Sequence, residues 1–377
     1  MRENYKIIYY DDGRKIIFFH SAGSGLCIDS PTGVQVLLDD AYRDYDVCKL
    51  GSELYLVCQN MQGDLIFLKY FDSKWHKYTL LMSKTRGAYE KNFFLLPTGS
   101  CVQLFYTINS GGKKLLVQQL LGGGAEPVVV AAVQSCAQPF YAVSDSELNT
   151  YIYYQSENNE FGCKMYKWSS KALGEFRALS KGACKHIYAA TDPFGRHHVC
   201  FVRENFIVYL MRANEGKYDD EALLPYVSGM HNAPPYITFC GGKTYVVWQQ
   251  QRNVMYAVRS ENTGNFSAPV RIMSTASEPI MFGIRRNNER SMEAGYFSGK
   301  ELRFFNVGTG TKNMPKSSSL PIPDRRFIQH ASGSGKEENT SEIVRLKSAV
   351  GALGREVSVL KNKLEIALSF IENSKNG

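Results

Sequence analysis

A hydrophobic segment followed by a polar residue and a turn recurs along this chain at a nearly constant spacing. The first residues after the apolar runs are separated by steps of 39, 48, 48, 48, 46 and 48 residues. They are His20, Gln59, Thr107, Gln155, Arg203, Gln249 and Phe297. Four short segments rich in Val, Ile, Tyr and Phe fill each unit, as in a β-propeller blade. We therefore predict an all-β fold, a β-propeller of about seven four-stranded blades over residues 1–310. Six blades are the alternative, if the N-terminal strand completes the last blade.

A second repeated element supports this fold. A turn of the form Gly-x-aromatic precedes the last strand of three units, at Gly174 to Phe176, Gly216 to Tyr218 and Gly264 to Phe266. Glycine supplies the backbone conformation of the turn, and we expect the aromatic ring to pack across the outer edge of the blade. The unit resembles the blades of sialidase-like and lectin-like bacterial propellers. The resemblance implies the fold and no chemistry, because the Ser-x-Asp-x-Gly-x-x-Trp box of sialidases is absent from every unit.

Composition restricts the class of partner. The net charge of +8 is spread over 377 residues without a dense Lys/Arg block, so we expect no nucleic-acid partner. The nine cysteines form no CxxC pair, which favours buried thiols in a reducing compartment and argues against zinc. No signal-peptide core and no run of 18 apolar residues is found, so we expect a cytoplasmic protein without a membrane span. No cofactor motif is found either.

The C-terminal segment has a different period. Residues 311–340 are rich in Gly, Ser, Pro and Lys and are predicted to be a flexible linker. Over residues 341–374, apolar positions then alternate in steps of 3 and 4. They are Ile343, Leu346, Val350, Leu353, Val357, Leu360, Leu364, Ala367 and Ile371. This heptad predicts a coiled-coil oligomerisation helix, with the chain itself as partner in a parallel dimer. A trimer or tetramer, or a helix packed on its own propeller, is the alternative.

One face of the disc is predicted to carry polar and aromatic groups, because the turns between second and third strands gather there. The candidate binding residues are His20, Gln59, Asn60, Tyr106, Thr107, Tyr154, Gln155, Arg203, Trp248, Gln249 and Arg252. Amide, hydroxyl and guanidinium groups beside aromatic rings suit a sugar or a peptide. The alternative is that Asn, Gln and Ser simply form good turns.

We assign no residue to catalysis or to a metal. His197 and His198 adjoin in a strand, so their side chains point to opposite faces and make a poor metal pair. Asp44, Asp46, Asp145 and Asp192 lie near strand starts, where capping of a turn is their expected role. No motif of a nucleophilic or metal-dependent enzyme is found.

The functional interpretation follows from these features. We expect a non-enzymatic binding or scaffold protein that presents one propeller face multivalently through the coiled coil, toward an unknown protein or glycan. The first alternative is a carbohydrate-binding lectin that uses pockets between blades, lined by aromatic and amide groups. The second is a propeller-type glycoside hydrolase or lyase.

Overall fold

Twenty-eight β-strands make up the described part of the chain. The computed structural model describes residues 5–10, 14–84, 86–122, 126–136, 138–212, 216–226, 235–240, 242–250, 253–274, 280–286, 292–298 and 301–304. All of them lie in the first of the two units into which the chain divides, Met1–Leu320. The predicted linker and coiled coil lie outside the described residues. Across the described ranges, no helix has the length and apolar character needed to cross a bilayer.

The strands group into six sheets, numbered here along the chain. Sheet 1 starts with β1 (Tyr5–Tyr9), β2 (Lys15–Ser21), β3 (Gly25–Ser30) and β4 (Gly33–Leu38). Sheet 2 is formed by β5 (Ala41–Leu50), β6 (Glu53–Asn60), β7 (Leu65–Phe71) and β8 (Lys74–Leu81). Sheet 3 is formed by β9 (Phe94–Thr98), β10 (Cys101–Ser110), β11 (Lys113–Leu121) and β12 (Val128–Val133).

The second half of the ring follows the same order. Sheet 4 is formed by β13 (Phe140–Ser144), β14 (Thr150–Gln155), β15 (Glu160–Lys167), β16 (Ala172–Leu173) and β17 (Arg177–Lys181). Sheet 5 is formed by β18 (Lys185–Thr191), β19 (His197–Arg203), β20 (Phe206–Arg212) and β21 (Ala222–Pro225). Sheet 6 is formed by β22 (Tyr236–Cys240), β23 (Lys243–Gln250), β24 (Asn253–Arg259) and β25 (Val270–Ser274). The chain then adds β26 (Ile280–Arg286), β27 (Met292–Ser298) and β28 (Glu301–Phe304) to sheet 1.

The first and last units share one sheet, and this closes the ring. β1 pairs with β26 in parallel, with Ile7 opposite Ile284, and the other strand pairs within the described ranges are antiparallel. The seven repeat units therefore form six sheets, one of which has seven strands. The expected count of seven separate blades is wrong and the alternative count of six is confirmed. The sequence period counts repeat units, whereas hydrogen bonding between the two terminal units decides the number of sheets. Within the described ranges, the last unit has three strands.

Neighbouring sheets meet through the first strand of each unit. β1 contacts β5, β5 contacts β9, and the same relation continues through β13, β18 and β22. The first strands of sheets 3 to 6 contribute one aromatic residue each, namely Phe94, Tyr141, Tyr188 and Tyr236. Their ring centroids are 4.5, 4.8 and 5.2 Å apart from one sheet to the next. This row of buried aromatic rings joins sheets 3 to 6 into one core, as expected for a propeller.

The aromatic residues of two Gly-x-aromatic turns pack against the sheets. Phe266 of sheet 6 meets Tyr209 of sheet 5 edge to face, with centroids 4.8 Å apart. Phe176 lies against Gly162 of β15, where a Cβ atom would stand 2.6 Å from the ring. Because Gly162 has no Cβ atom, the Phe176 ring can occupy this space.

Candidate functional site

Several side chains of the predicted polar face form hydrogen bonds within the protein. Gln59 is fully buried, and its amide group donates to the Tyr89 carbonyl and accepts from the Tyr89 N–H at 3.3 Å. Gln155 is 1% exposed, donates to the Gly182 carbonyl at 3.2 Å and accepts from the Cys184 N–H at 2.8 Å. Each glutamine thus holds the connecting segment that leads into the next sheet.

Two further positions of the repeat have similar internal partners. Thr107 is fully buried and donates to the Lys91 carbonyl at 3.0 Å. His20 is half-buried, and its Nε2 lies 3.0 Å from the carbonyl oxygen of Ala41, to which it donates. Thr107 thus joins its strand to the connection before β9, and His20 joins its strand to the first residue of β5.

The charged and aromatic members of the predicted set are also engaged within the fold. Arg203 donates from Nη1 to Ser180 at 2.6 Å and to Glu221 at 3.1 Å. Asn60 accepts from the Asp64 N–H at 2.8 Å across its own turn. The aromatic and amide side chains Tyr106, Tyr154, Trp248 and Gln249 are all buried. Arg252 lies outside the described residues.

The polar groups of Gln59, Thr107 and Gln155 are therefore hydrogen-bonded within the protein. Buried polar groups must find hydrogen-bond partners, and here backbone groups of inter-sheet connections supply them. The recurrence of a polar residue at the end of the second strand reflects this repeated clamp. The polar atoms of these side chains are hydrogen-bonded to backbone groups, so they do not form an exposed surface for a ligand.

The turn that follows the first strand of sheet 5 carries an exposed aromatic residue. Between β18 and β19, Asp192 accepts at Oδ1 from the N–H groups of Phe194 and Arg196, at 2.9 and 2.8 Å. Gly195 has a φ of +82°, which a tight turn of this kind requires. The turn leaves the Phe194 ring 66% exposed to solvent. Asp192 therefore caps the turn, as the sequence predicted.

The turn between β13 and β14 has the same backbone hydrogen bonds one sheet earlier. Asp145 accepts at Oδ1 from the N–H groups of Glu147 and Asn149, both at 2.9 Å. Leu148, at the position of Gly195, has a φ of +67°. Glu147 and Asn149 thus stand where Phe194 and Arg196 stand in sheet 5. The turn alone does not require an exposed aromatic ring, because the same turn is made in sheet 4 with a glutamate there.

A cleft of about 220 Å³ opens beside the Asp192 turn, between sheets 5 and 6. Its lining residues are Asp192, Pro193, Phe194, Arg196, Phe239, Gly242 and Thr244. Those from Phe239 onward belong to the hairpin of β22 and β23. The guanidinium carbon of Arg196 lies 5.2 Å from the centroid of the Phe194 ring. The cleft therefore combines an exposed aromatic ring, a guanidinium group and a hydroxyl group.

Below the cleft, a chain of hydrogen bonds fixes Arg196. Its Nε donates to Asp192 Oδ2 at 2.6 Å. The Nε2 of the fully buried His198 lies 3.1 Å from the same oxygen. Because an ionised carboxylate only accepts hydrogen bonds, His198 carries its proton on Nε2, and its Nδ1 accepts from the Tyr209 hydroxyl. The Nη groups of Arg196 make no hydrogen bond or ion pair within the described part of the chain.

The ionisation of this network follows from its contacts. Burial by itself would raise the pKa of Asp192, but hydrogen bonds from His198 and Arg196 lower that pKa to about 2. Burial lowers the pKa of His198, against the opposing effect of Asp192. Near neutral pH the network therefore holds an ionised Asp192, a neutral His198 and a charged Arg196.

The two adjacent histidines occupy separate environments. His197 is fully buried against sheet 4, with its Nδ1 3.3 Å from the Tyr153 hydroxyl, whereas His198 faces the cleft network. Burial lowers the pKa of His197 to about 3. Among the described residues, no group of three His, Cys, Asp or Glu side chains is arranged to hold a metal ion.

Sequence reasoning singled out Asp192 but missed Phe194, Arg196 and Phe239. The available signal was the segment Asp-Pro-Phe-Gly-Arg, in which an aromatic residue occupies the tip of a turn. Phe239 lies more than forty residues further along the chain, in another sheet, so only the folded ring brings it to the cleft.

Comparisons with known proteins give similar structures and no similar sequences. No protein-family model and no curated protein sequence matches the chain. The fucose-binding lectin of Aleuria aurantia, described as a six-bladed β-propeller, is 14% identical, with a TM-score of 0.46. The match covers 73% of this chain and 97% of the lectin. The SapL1 lectin in complex with α-methyl fucoside is 11% identical over 71% of this chain and 95% of its own, with a TM-score of 0.43. An ulvan lyase of a polysaccharide lyase family is 8% identical over 79% of this chain and 90% of its own, with a TM-score of 0.47.

These findings change two of the sequence-based interpretations. The closed ring confirms the propeller fold. The similar structures named above are lectins and a lyase, and none of them is a sialidase. The scaffold interpretation is wrong. The similar structures include sugar-binding lectins, in line with the lectin alternative, and the face that the scaffold was to present is used internally.

Proposed function

We propose that this chain is a carbohydrate-binding protein and that the cleft between sheets 5 and 6 holds the sugar. The observation that carries the proposal is the exposed ring of Phe194 beside the guanidinium group of Arg196. Sugars present an apolar C–H face and a rim of hydroxyl groups. An aromatic ring with a few well-placed polar groups complements both.

The matched turn of sheet 4 strengthens this argument. There, Asn149 donates to Asp145 and accepts from the Trp168 N–H at 3.1 Å, so its amide is engaged locally. In sheet 5 the same position carries Arg196, whose Nη groups have no acceptor among the described residues. The turn itself does not need an aromatic residue at this position, since sheet 4 makes the same turn with Glu147. A ligand that covers the Phe194 ring would explain why sheet 5 carries an aromatic residue where sheet 4 carries a glutamate.

The size of the cleft suits a small part of a glycan. Its volume of about 220 Å³ lies below the roughly 300–1,000 Å³ of pockets that enclose drug-sized ligands. One sugar ring with part of a neighbour is therefore the unit that we expect the cleft to cover.

We propose binding without turnover. The buried carboxyl of the cleft is held ionised, with a pKa of about 2, so it has no proton to donate near neutral pH. Its oxygens are occupied by Arg196, His198 and two backbone N–H groups. This carboxylate is thus committed to positioning Arg196 and is a poor candidate for a general acid or a nucleophile.

A glycan array followed by calorimetry tests the proposal. The full chain should bind a subset of saccharides, and Phe194→Ala should weaken binding of the best ligand by about tenfold, roughly 1.4 kcal/mol. Phe206→Ala is the matched control, because Phe206 is 41% exposed in the same sheet but lies outside the cleft. Absence of binding to every saccharide, or equal losses in both variants, would contradict the proposal.

A further inference from the structure

We infer that the sugar recognised by the cleft is an uncharged residue, held through a pair of hydroxyl groups by Arg196. This inference rests on the proposed function and names the class of its ligand. It follows from the charges that line the cleft, which are one cation and one anion. The remaining lining residues, Pro193, Phe194, Phe239, Gly242 and Thr244, carry no charge.

The positive charge of Arg196 is already compensated. Its Nε lies 2.6 Å from Asp192 Oδ2, and the side chain of Asp192 is 2% exposed. His198 adds no positive charge, since burial lowers its pKa and its Nε2–H group serves Asp192. An acidic sugar entering the cleft would therefore meet no net positive charge, while it would lose the hydration of its own carboxylate or sulfate.

The same contacts leave Arg196 well suited to a neutral ligand. With Nε bound to Asp192, the planar guanidinium group is held in place and its two Nη groups remain as donors. Two neighbouring hydroxyl oxygens of a sugar can accept from them in parallel. The apolar face of that sugar ring would then lie on Phe194, whose exposed ring adjoins the guanidinium group.

The arrangement of Asp192 excludes it as a direct contact of the ligand. Two backbone N–H groups occupy Oδ1, and the side chains of Arg196 and His198 occupy Oδ2. The four hydrogen bonds match the acceptor capacity of a carboxylate. Recognition of hydroxyl groups therefore depends on donors from Arg196, and Asp192 acts as a positioning residue.

The test compares matched glycans that differ only in one acidic group on the terminal sugar. The full chain is applied to an array that carries glucose and glucuronic acid termini, and galactose with and without a 6-sulfate, at 50 and 500 mM NaCl. We expect binding to neutral termini, with less than about a twofold change between the salt concentrations. Binding confined to acidic termini, or a loss of about tenfold at high salt, would overturn the inference while leaving carbohydrate binding intact. No binding to any glycan would overturn both.

An Arg196→Lys variant adds a second readout. Lysine keeps the positive charge but lacks the planar pair of donors. If hydroxyl pairs are recognised, calorimetry with the best neutral glycan should show about a tenfold weaker affinity, with the far-ultraviolet circular dichroism unchanged. If this variant bound the glycan with wild-type affinity, the positive charge at position 196 alone would account for recognition, and the inference would fail.

Discussion

The imidazole of His198 meets the ring of Phe239 edge to face, with centroids 4.9 Å apart, although the two residues belong to sheets 5 and 6. His198 also donates to Asp192, which holds Arg196. One fully buried side chain thus contacts both walls of the cleft, and the groups proposed to bind the sugar depend on it.

Replacement of His198 by phenylalanine should separate these two contacts. A phenyl ring can still pack against Phe239, but it gives Asp192 no N–H donor and leaves the Tyr209 hydroxyl without its acceptor. We expect sugar affinity to fall by about tenfold and the free energy of unfolding to fall by roughly 1–3 kcal/mol. Calorimetry and urea unfolding measure the two effects.

The control for this variant is His76→Phe. His76 stacks on Phe71 in sheet 2, with centroids 3.9 Å apart, and takes no part in the cleft. Its replacement should leave sugar affinity unchanged. Wild-type affinity in the His198 variant would mean that Arg196 is held in position without the hydrogen bond from His198 to Asp192.

Asp192 should make stability depend on pH in acid. Its pKa of about 2 in the folded chain lies below its ordinary value of 3.8, so the folded state favours the ionised form. The resulting stabilisation is present above pH 4 and disappears as the pH falls from about 4 to 2. Urea unfolding measures the free energy of unfolding of the wild type and of Asp192→Asn from pH 7 to pH 2.5. The difference between the two free energies should shrink below about pH 4. A constant difference would contradict the assignment.

Gln155 should matter for stability and leave binding unaffected. Gln155→Met keeps the length of the side chain but removes the bonds to Gly182 and Cys184. Since the buried N–H group of Cys184 then lacks a partner, we expect the free energy of unfolding to fall by roughly 1–2 kcal/mol. Chemical denaturation and the glycan array check the two expectations. A stable variant that no longer binds sugar would restore Gln155 to the ligand site.

The heptad at Ile343 to Ile371 remains a prediction about assembly. Light scattering coupled to size exclusion on the full chain, and on a version that ends before Gly335, measures the mass of each. We expect a dimer for the full chain and a monomer for the shortened one, because the a and d positions lie beyond the cut. Two monomers, or two equal oligomers, would contradict a coiled coil.

Much of the ring could be predicted from periodicity. A step close to 48 residues predicted the number of repeat units, and short apolar segments predicted the strands that correspond to β5, β9, β13, β18 and β22. The parallel pairing of β1 with β26 could not be predicted in this way. It joins the first repeat unit to the last, and no local pattern specifies that these two units will share a sheet.

The candidate site was harder to predict, for two physical reasons. Polarity of a side chain does not tell whether its partner will be a ligand or a buried backbone group, and Gln59 and Gln155 have backbone partners. The cleft also combines Phe194 and Phe239, which come from different sheets. Asp192 was correctly expected to cap its turn, because an aspartate at the start of a tight turn accepts local N–H groups wherever the turn lies.

A crystal structure of the chain with the best array ligand tests the central claim most directly. We expect density for one sugar ring in the cleft, with its C–H face on Phe194 and two hydroxyl oxygens within hydrogen-bond distance of the Arg196 Nη groups. A well-defined sugar bound elsewhere on the ring, with the cleft between sheets 5 and 6 left empty, would contradict the account.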